Sequence, residues 1–355
     1  MKKVIIGFIA LFIISACNNN NEWSKFRGNL GNTGRYKGKA PVELTNIKWK
    51  FKTEGDVMSS PAVADGIVFF GSEDNYLYAV DIKTGQEKWK FKTGDNVQSS
   101  PAVAEDIVFF GSMDNYLYAV NIKTGQEKWK FKTENDIYPS PAVAEGIVFF
   151  GSWDNYLYAV NEKTGQEKWK FKTEYGVVSS PAVANGMVYF GCIDSYLYAV
   201  NEKTGQEKWK FKTGDKVSSS PAVADGIVFF GSYDDYLYAL DIKTGQEKWK
   251  FKTEDNVGSS PAVADGIVFF GSEDDYLYAV DVKTGQEKWK FKTESEVYSS
   301  PTVADGIVFF GSYDDYLYAV DVKTGQEKWK FKTEGEVFTS PAVADGIVFF
   351  GSKDN

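Results

Sequence analysis

The 355-residue chain contains no histidine and only two cysteines, Cys17 and Cys192. Without histidine there is no Ser-His-Asp or Cys-His arrangement, no imidazole base near neutral pH, and none of the commonest metal ligand. Two cysteines exclude a disulfide framework and a Cys-rich zinc site. Positive charge is also short. The 40 Lys and Arg against 49 Asp and Glu leave a net charge of −9, which argues against nonspecific binding to nucleic acid. The longest apolar run, Val4 to Ile14, is too short to span a bilayer as a helix, and no segment shows helical periodicity of useful length. What abounds is aromatic: 10 Trp, 21 Tyr and 27 Phe make 16% of the chain. An ordered, non-catalytic protein with at least one large core is expected.

The first residues read as an address. Met1-Lys2-Lys3 and the apolar run form the start and core of a signal peptide over residues 1–16. Ile14-Ser15-Ala16-Cys17 resembles the lipobox of bacterial lipoproteins, which implies cleavage before Cys17 and a diacylglyceryl group on its sulfur. Residues 17–22, with the polar tract Asn18 to Asn21, then read as a lipidated tether. The implied location is extracytoplasmic, with the membrane met through the lipid anchor only.

Everything after residue 46 repeats with a period of forty. Trp recurs at 49, 89, 129, 169, 209, 249, 289 and 329, and Ser-Pro-Ala-Val-Ala or a close variant occurs eight times, with Pro at 61 through 341. Each unit holds four β-type runs, in the first unit Pro61 to Ala64, Ile67 to Gly71, Tyr76 to Asp81 and Glu87 to Thr93. Asp65-Gly66 reads as a tight hairpin turn between the first two. Four antiparallel strands per forty residues signify a propeller blade, with a solenoid of hairpins as the competing architecture. In the outermost run Trp89 and Phe91 alternate with Lys88, Lys90 and Lys92, and lysines on an edge strand discourage edge-to-edge aggregation.

The segment Ala79-Val80-Asp81-Ile82-Lys83-Thr84-Gly85-Gln86-Glu87-Lys88-Trp89 resembles the A-x-D-x-x-T-G-x-x-x-W motif of pyrroloquinoline-quinone-type (PQQ-like) repeat propellers. Seven copies are present, with Asn in the Asp position at 121, 161 and 201, and Glu22 to Asn29 with Thr33-Gly34 resembles that family's lead-in. The resemblance implies that Trp89, with Gly85 and Ala79, takes part in a structural girdle between blades. The expected fold is all-β: an eight-bladed propeller of four-stranded antiparallel blades over residues 23–355. It comprises a lead-in at 23–46, a closing strand at 47–53, seven complete blades at 59–333 and a partial eighth at 339–355. The closing strand would supply the outermost strand of that last blade. The counterpart of Tyr76 to Asp81 is missing there, so either the chain is truncated or residues upstream of Thr45 substitute for it.

Two columns vary among otherwise near-identical units. One holds Met58, Gln98, Tyr138, Val178, Ser218, Gly258, Tyr298 and Phe338, just before the first strand. The other holds Glu73, Met113, Trp153, Ile193, Tyr233, Glu273, Tyr313 and Lys353, in the turn between the second and third strands. Antiparallel strand direction puts both columns on one rim. A binding face diversified blade by blade explains Trp, Tyr, Phe, Met and Ile there better than mere loop tolerance, which favours small polar residues. Asp74-Asn75 and its sisters read as turn residues, since no D-x-D-x-D-G calcium loop is present. Cys192, in the column of Ser72 and Ser112, reads as a neutral replacement of serine.

Three functions remain in view. PQQ-like propellers include quinoprotein dehydrogenases, but adjacent cysteines and a single asymmetric cofactor site are lacking, so no cofactor, metal or catalytic residue is expected. Lipidated members include a scaffold of outer-membrane β-barrel assembly. The preferred reading is a monomeric, anchored, non-catalytic recognition module for a protein or glycan of the cell envelope, its similar units offering multivalent subsites.

Overall fold

In a computed structural model, which describes residues 26–44 and 47–353, the period of forty becomes seven four-stranded antiparallel meanders. The first runs Ala62–Ala64, Ile67–Gly71, Tyr76–Asp81 and Glu87–Lys92; its copies follow at 102–132, 142–172, 182–212, 222–252, 262–292 and 302–332. We number these blades 1 to 7. Asp65 and Gly66 both hold positive φ, 50° and 71°, as the two-residue primed turn between right-twisted strands requires. The first three strands of a blade are almost wholly buried, whereas the fourth alternates from Lys88 onward with its lysines outward. A register shift at Ala79/Val80 skips Lys88 and turns it onto Asp81, 3.2 Å away at the Thr-Gly turn.

The apolar layers lie between blades rather than within them. One face of blade 1 (Ile67, Phe69, Leu77, Ala79) meets the opposite face of blade 2 (Val108, Phe110, Tyr118, Val120) in one core cluster, and the same layer recurs round the ring. Each fourth-strand Trp seals such a layer. The Trp89 indole N–H donates to Ile122 O at 2.9 Å in the next blade, and a Cβ on Gly125 would lie 2.9 Å from the indole. The girdle therefore runs from unit to unit: Trp89 docks on Gly125, Gly85 receives Trp49, and Ala79 lies opposite Trp89 on the neighbouring strand of its own blade.

Round the axis a second circlet links first strands. The backbone N–H of Ser60 donates to Ser100 Oγ at 3.0 Å, that of Ser100 to Ser140, and so on to Ser300. Ser340 N–H donates back to Ser60 at 2.9 Å. The lead-in lies along the inner edges of blades 4 to 7. Leu30, Gly31, Thr33 and Gly34 carbonyls accept from Val183, Val223, Val263 and Val303 at 2.7–2.8 Å, and Arg35–Tyr36 adds a parallel strand to blade 7. Arg27 is 1% exposed, its Nη1 donating to Pro301 O at 2.7 Å.

The blade count corrects the expectation. The propeller has seven blades, not the eight expected: after blade 7 only the hairpin Ala342–Ala344 and Ile347–Phe349 forms. Residues 47–53 make no ladder among the described residues. The reason is the missing central strand, because a fourth strand has nothing to pair with when the third is absent. Part of the gap at the ring junction is covered by the lead-in. Pro41 O accepts the Trp329 indole N–H at 3.3 Å, and the Tyr36 hydroxyl accepts the Asp345 N–H at 3.2 Å.

The girdle can be tested with two glycines of positive φ. Gly205→Ala places a methyl 2.6 Å from the Trp169 ring, whereas Gly226 has nothing within 4 Å of a new Cβ. Both variants bear the left-handed backbone penalty of about 1–2 kcal/mol. Denaturant titration should show Gly205→Ala losing roughly 1–3 kcal/mol more; equal losses would count against the docking contact.

Candidate functional site on the varied rim

The two varied columns are tied together by backbone. Glu73 N–H donates to Asp56 O at 2.9 Å, Val97 N–H to Ser72 O at 3.1 Å, and Met113 N–H to Asn96 O at 3.0 Å. The pattern repeats as far as Lys353 N–H on Glu336 O. Each turn between second and third strands is thus laced to the connections on either side, and the varied side chains stand on a rigid belt. The Thr-Gly turns lie at the other end, where Ile82 N–H bonds Gly66 O.

Within each turn the carboxylate is engaged locally. Asp74 Oδ1 accepts the Tyr76 N–H, and Oδ2 accepts both the Tyr78 hydroxyl at 2.7 Å and the Glu54 N–H at 3.1 Å. Among the described residues no three His, Cys, Asp or Glu come together as a metal site. Cys192 is buried, and its Sγ donates to Tyr175 O and Gly176 O, where Ser72 Oγ donates to Gly55 O. Burial pushes its thiol up to about 12, leaving it unreactive.

The columns divide into three groups. Over blades 5 to 7, Tyr298 stacks on Phe338 at 5.3 Å and on Tyr313 at 5.9 Å, and its hydroxyl meets that of Tyr233. Gly258 makes this meeting possible, since a Cβ there would lie 3.0 Å from Tyr298 and 3.3 Å from the Tyr233 hydroxyl. Lys216 sits 3.9 Å over Tyr233. Lys353 lies 5.2 Å over Tyr313 and pairs with Glu336 at 2.6 Å. Burial raises the pKa of Tyr298 and of Tyr313. A second group is polar, with Gln98 donating to Glu73 at 2.7 Å. The third is the most exposed: Trp153, 41% accessible, meets Tyr138 edge-on at 6.0 Å. Met58, Met113, Val178 and Ile193 are partly buried beside these groups.

Two rim residues escaped the two-column comparison. Tyr175, 58% exposed, occupies a position that is Gly, Asp, Asn or Ser in every other unit, and Lys216 one that is acidic, Asn or Gly. Departure from the unit consensus was the available signal for both. Cys17, the leader 1–16 and the tether 17–22 lie outside the described residues.

Glu273 connects the rim to pH. Desolvation raises its pKa, opposed by a 2.8 Å hydrogen bond from Asn256 Nδ2, and its Oε1 is buried without a partner. The native state therefore holds the proton more tightly than the unfolded chain, so stability falls as pH rises above the ordinary glutamate range. Glu273→Gln should gain thermal stability over wild type between about pH 4 and pH 7, by on the order of 1 °C. A difference independent of pH would contradict this.

Comparison with known proteins follows the same lines. The family model described as outer membrane protein assembly factor BamB matches residues 45–136, 117–212, 193–299 and 294–355. No curated protein matches the chain in sequence. Among solved structures, quinohemoprotein alcohol dehydrogenase ADHIIG from Pseudomonas putida HK5 is 18% identical. That match covers 93% of this chain and 75% of the enzyme at a TM-score of 0.81. BamB from Moraxella catarrhalis is 16% identical over 88% of this chain and 97% of its own, with a TM-score of 0.75. The computationally designed Ika8 protein is 24% identical over 89% and 98%, with a TM-score of 0.77. At these identities the structural likeness speaks for the fold.

Proposed function

We propose that the chain, which belongs to the family of outer membrane protein assembly factor BamB, is a non-catalytic binding scaffold of the cell envelope. It would be held to a membrane by lipid on Cys17 and would bind a protein partner through the varied rim. One observation carries the reading: the side chains that differ between near-identical units stand together on one belt-like rim laced by backbone hydrogen bonds.

The chemistry of the rim suits a protein segment. Trp153 and Tyr175 offer exposed aromatic area, which contributes contact at low entropic cost. Desolvation and the nearby Glu273 charge both lift the Glu296 pKa, so this part of the rim resists further negative charge and favours a basic or aliphatic segment over an acidic one. A quinone centre of the kind implied by the dehydrogenase relatives fits the residues poorly. No adjacent cysteine pair exists in the sequence, and the turn carboxylates that could hold calcium are engaged by Tyr hydroxyls and backbone N–H groups.

A photo-reactive side chain placed at Trp153 or Tyr175, compared with one at Lys83 or Lys243 on the opposite rim, tests the reading in intact envelopes. Adducts to a discrete protein are expected from the first pair at least about tenfold above the second. Equal yields from both rims, or adducts from neither, would overturn it.

A further inference from the structure

The varied rim already sets cations against aromatic rings. Lys216 stands 3.9 Å over the Tyr233 ring, and the Tyr233 N–H donates to Lys216 O at 3.1 Å. Lys353 lies 5.2 Å over Tyr313 while its ammonium pairs with Glu336 at 2.6 Å, so a ring and a carboxylate share one cation.

The Trp153 sector has the same backbone and the opposite charge. Asp136 and Trp153 hold in their unit the places of Lys216 and Tyr233, and the Trp153 N–H donates to Asp136 O at 3.0 Å. A carboxylate therefore stands where the other unit puts an ammonium. Among the described residues that carboxylate receives only the Tyr138 hydroxyl, at 3.3 Å. No lysine or arginine among them stands over Trp153, Tyr138 or Tyr175, unlike the two lysines over Tyr233 and Tyr313.

The ring is also placed for contact. It lies along Gly176, where a Cβ would be 3.4 Å from Cα, Cδ2 and Cε3 of Trp153, and Tyr138 meets it edge-on. Trp153 nevertheless stays 41% accessible, and Tyr175, next to Gly176, 58%. The surroundings are acidic. Burial first, then the charges of Asp136 and Asp95, lift the Tyr138 pKa, and Glu134 and Glu174 are exposed in the adjoining connections.

We propose that Trp153 and Asp136 form a subsite for an arginine side chain of the partner polypeptide, its guanidinium stacking on the open side of the indole and turning its N–H groups to the Asp136 carboxylate. The proposal rests on the reading of this rim as a protein-binding face and names the chemistry of one contact on it. Lys353 between Glu336 and Tyr313 shows the same arrangement completed from within the chain. Arginine is favoured over lysine because its planar, weakly hydrated guanidinium stacks on indole and offers a fork to a carboxylate, whereas an ammonium must shed more water. Acidic side chains are repelled by Asp136 and Asp95.

The test follows the Trp153 indole N–H of the full chain by heteronuclear NMR, the signal being identified by its loss in Trp153→Phe. The probes are N-acetyl-arginine amide and its uncharged isostere N-acetyl-citrulline amide. A saturable shift is expected with the arginine probe, and binding at least about tenfold weaker with the citrulline probe. Asp136→Asn should weaken arginine binding by about threefold or more. Asp136→Lys, which copies the pairing of Lys216 with Tyr233, should abolish it, while the other tryptophan signals report that each variant keeps the fold. The proposal is overturned if arginine gives no saturable shift, if citrulline binds as well, or if Asp136→Asn binds arginine as the wild type does. Envelope adducts from Tyr175 without arginine binding would overturn this subsite alone. Arginine binding without any adducts would uphold the subsite and overturn the wider reading of the rim.

Discussion

The whole ring depends on one contact, the docking of each fourth-strand tryptophan on the Thr-Gly turn of the next unit. A single four-stranded sheet of this sequence has two apolar faces and can cover neither by itself. Trp89 on Gly125 and Ile122 O covers one of them and fixes the distance to the next blade. Because the contact always points forward, one unit's tryptophan completes its neighbour, and every defect appears at the junction of the chain's two ends. Near the axis the serine hydrogen bonds link first strands from Ser60 to Ser300, and Ser340 N–H reaches Ser60 across the junction. At the outer edge the Trp329 indole N–H donates to Pro41 O of the lead-in.

With the scaffold fixed by repeated residues, the side chains that do not repeat are free to differ from unit to unit along one rim. The belt of hydrogen bonds along the varied rim tolerates any side chain that keeps its backbone in place, which is why Glu, Met, Trp, Ile, Tyr and Lys can occupy the same turn position. Tolerance alone does not bring Tyr233, Tyr298, Tyr313 and Phe338 together. That cluster needs Gly258 beneath it, one unit's loss of a side chain serving an encounter between two others.

The strands were legible in the sequence because each unit restates the same alternation eight times. The expected runs Ile67 to Gly71 and Tyr76 to Asp81 coincide with the observed strands, and Glu87 to Thr93 exceeds its strand by one residue. The side on which the varied columns lie followed from strand direction alone. Closure was not legible. The sequence did show that the counterpart of Tyr76 to Asp81 is missing, but residues 47–53 carry a full fourth-strand pattern, and pattern judges a segment by itself whereas pairing needs a neighbour. Nor could column-wise reading find Tyr175 and Lys216, whose columns are glycine or polar in every other unit, or the buried Arg27, whose surroundings come from distant Pro301.

Each of the seven blades carries a complete four-stranded ladder, whereas the ladder at the ring junction stops after two strands. Amide hydrogen exchange of the unliganded chain tests it most directly, using the distinguishable segments that contain residues 347–351 and 48–53 beside their counterparts at 307–311 and 328–333. The gap predicts exchange at least about a hundredfold faster at 347–351 and 48–53 than in blade 7. Equal protection on both sides of the junction would contradict it.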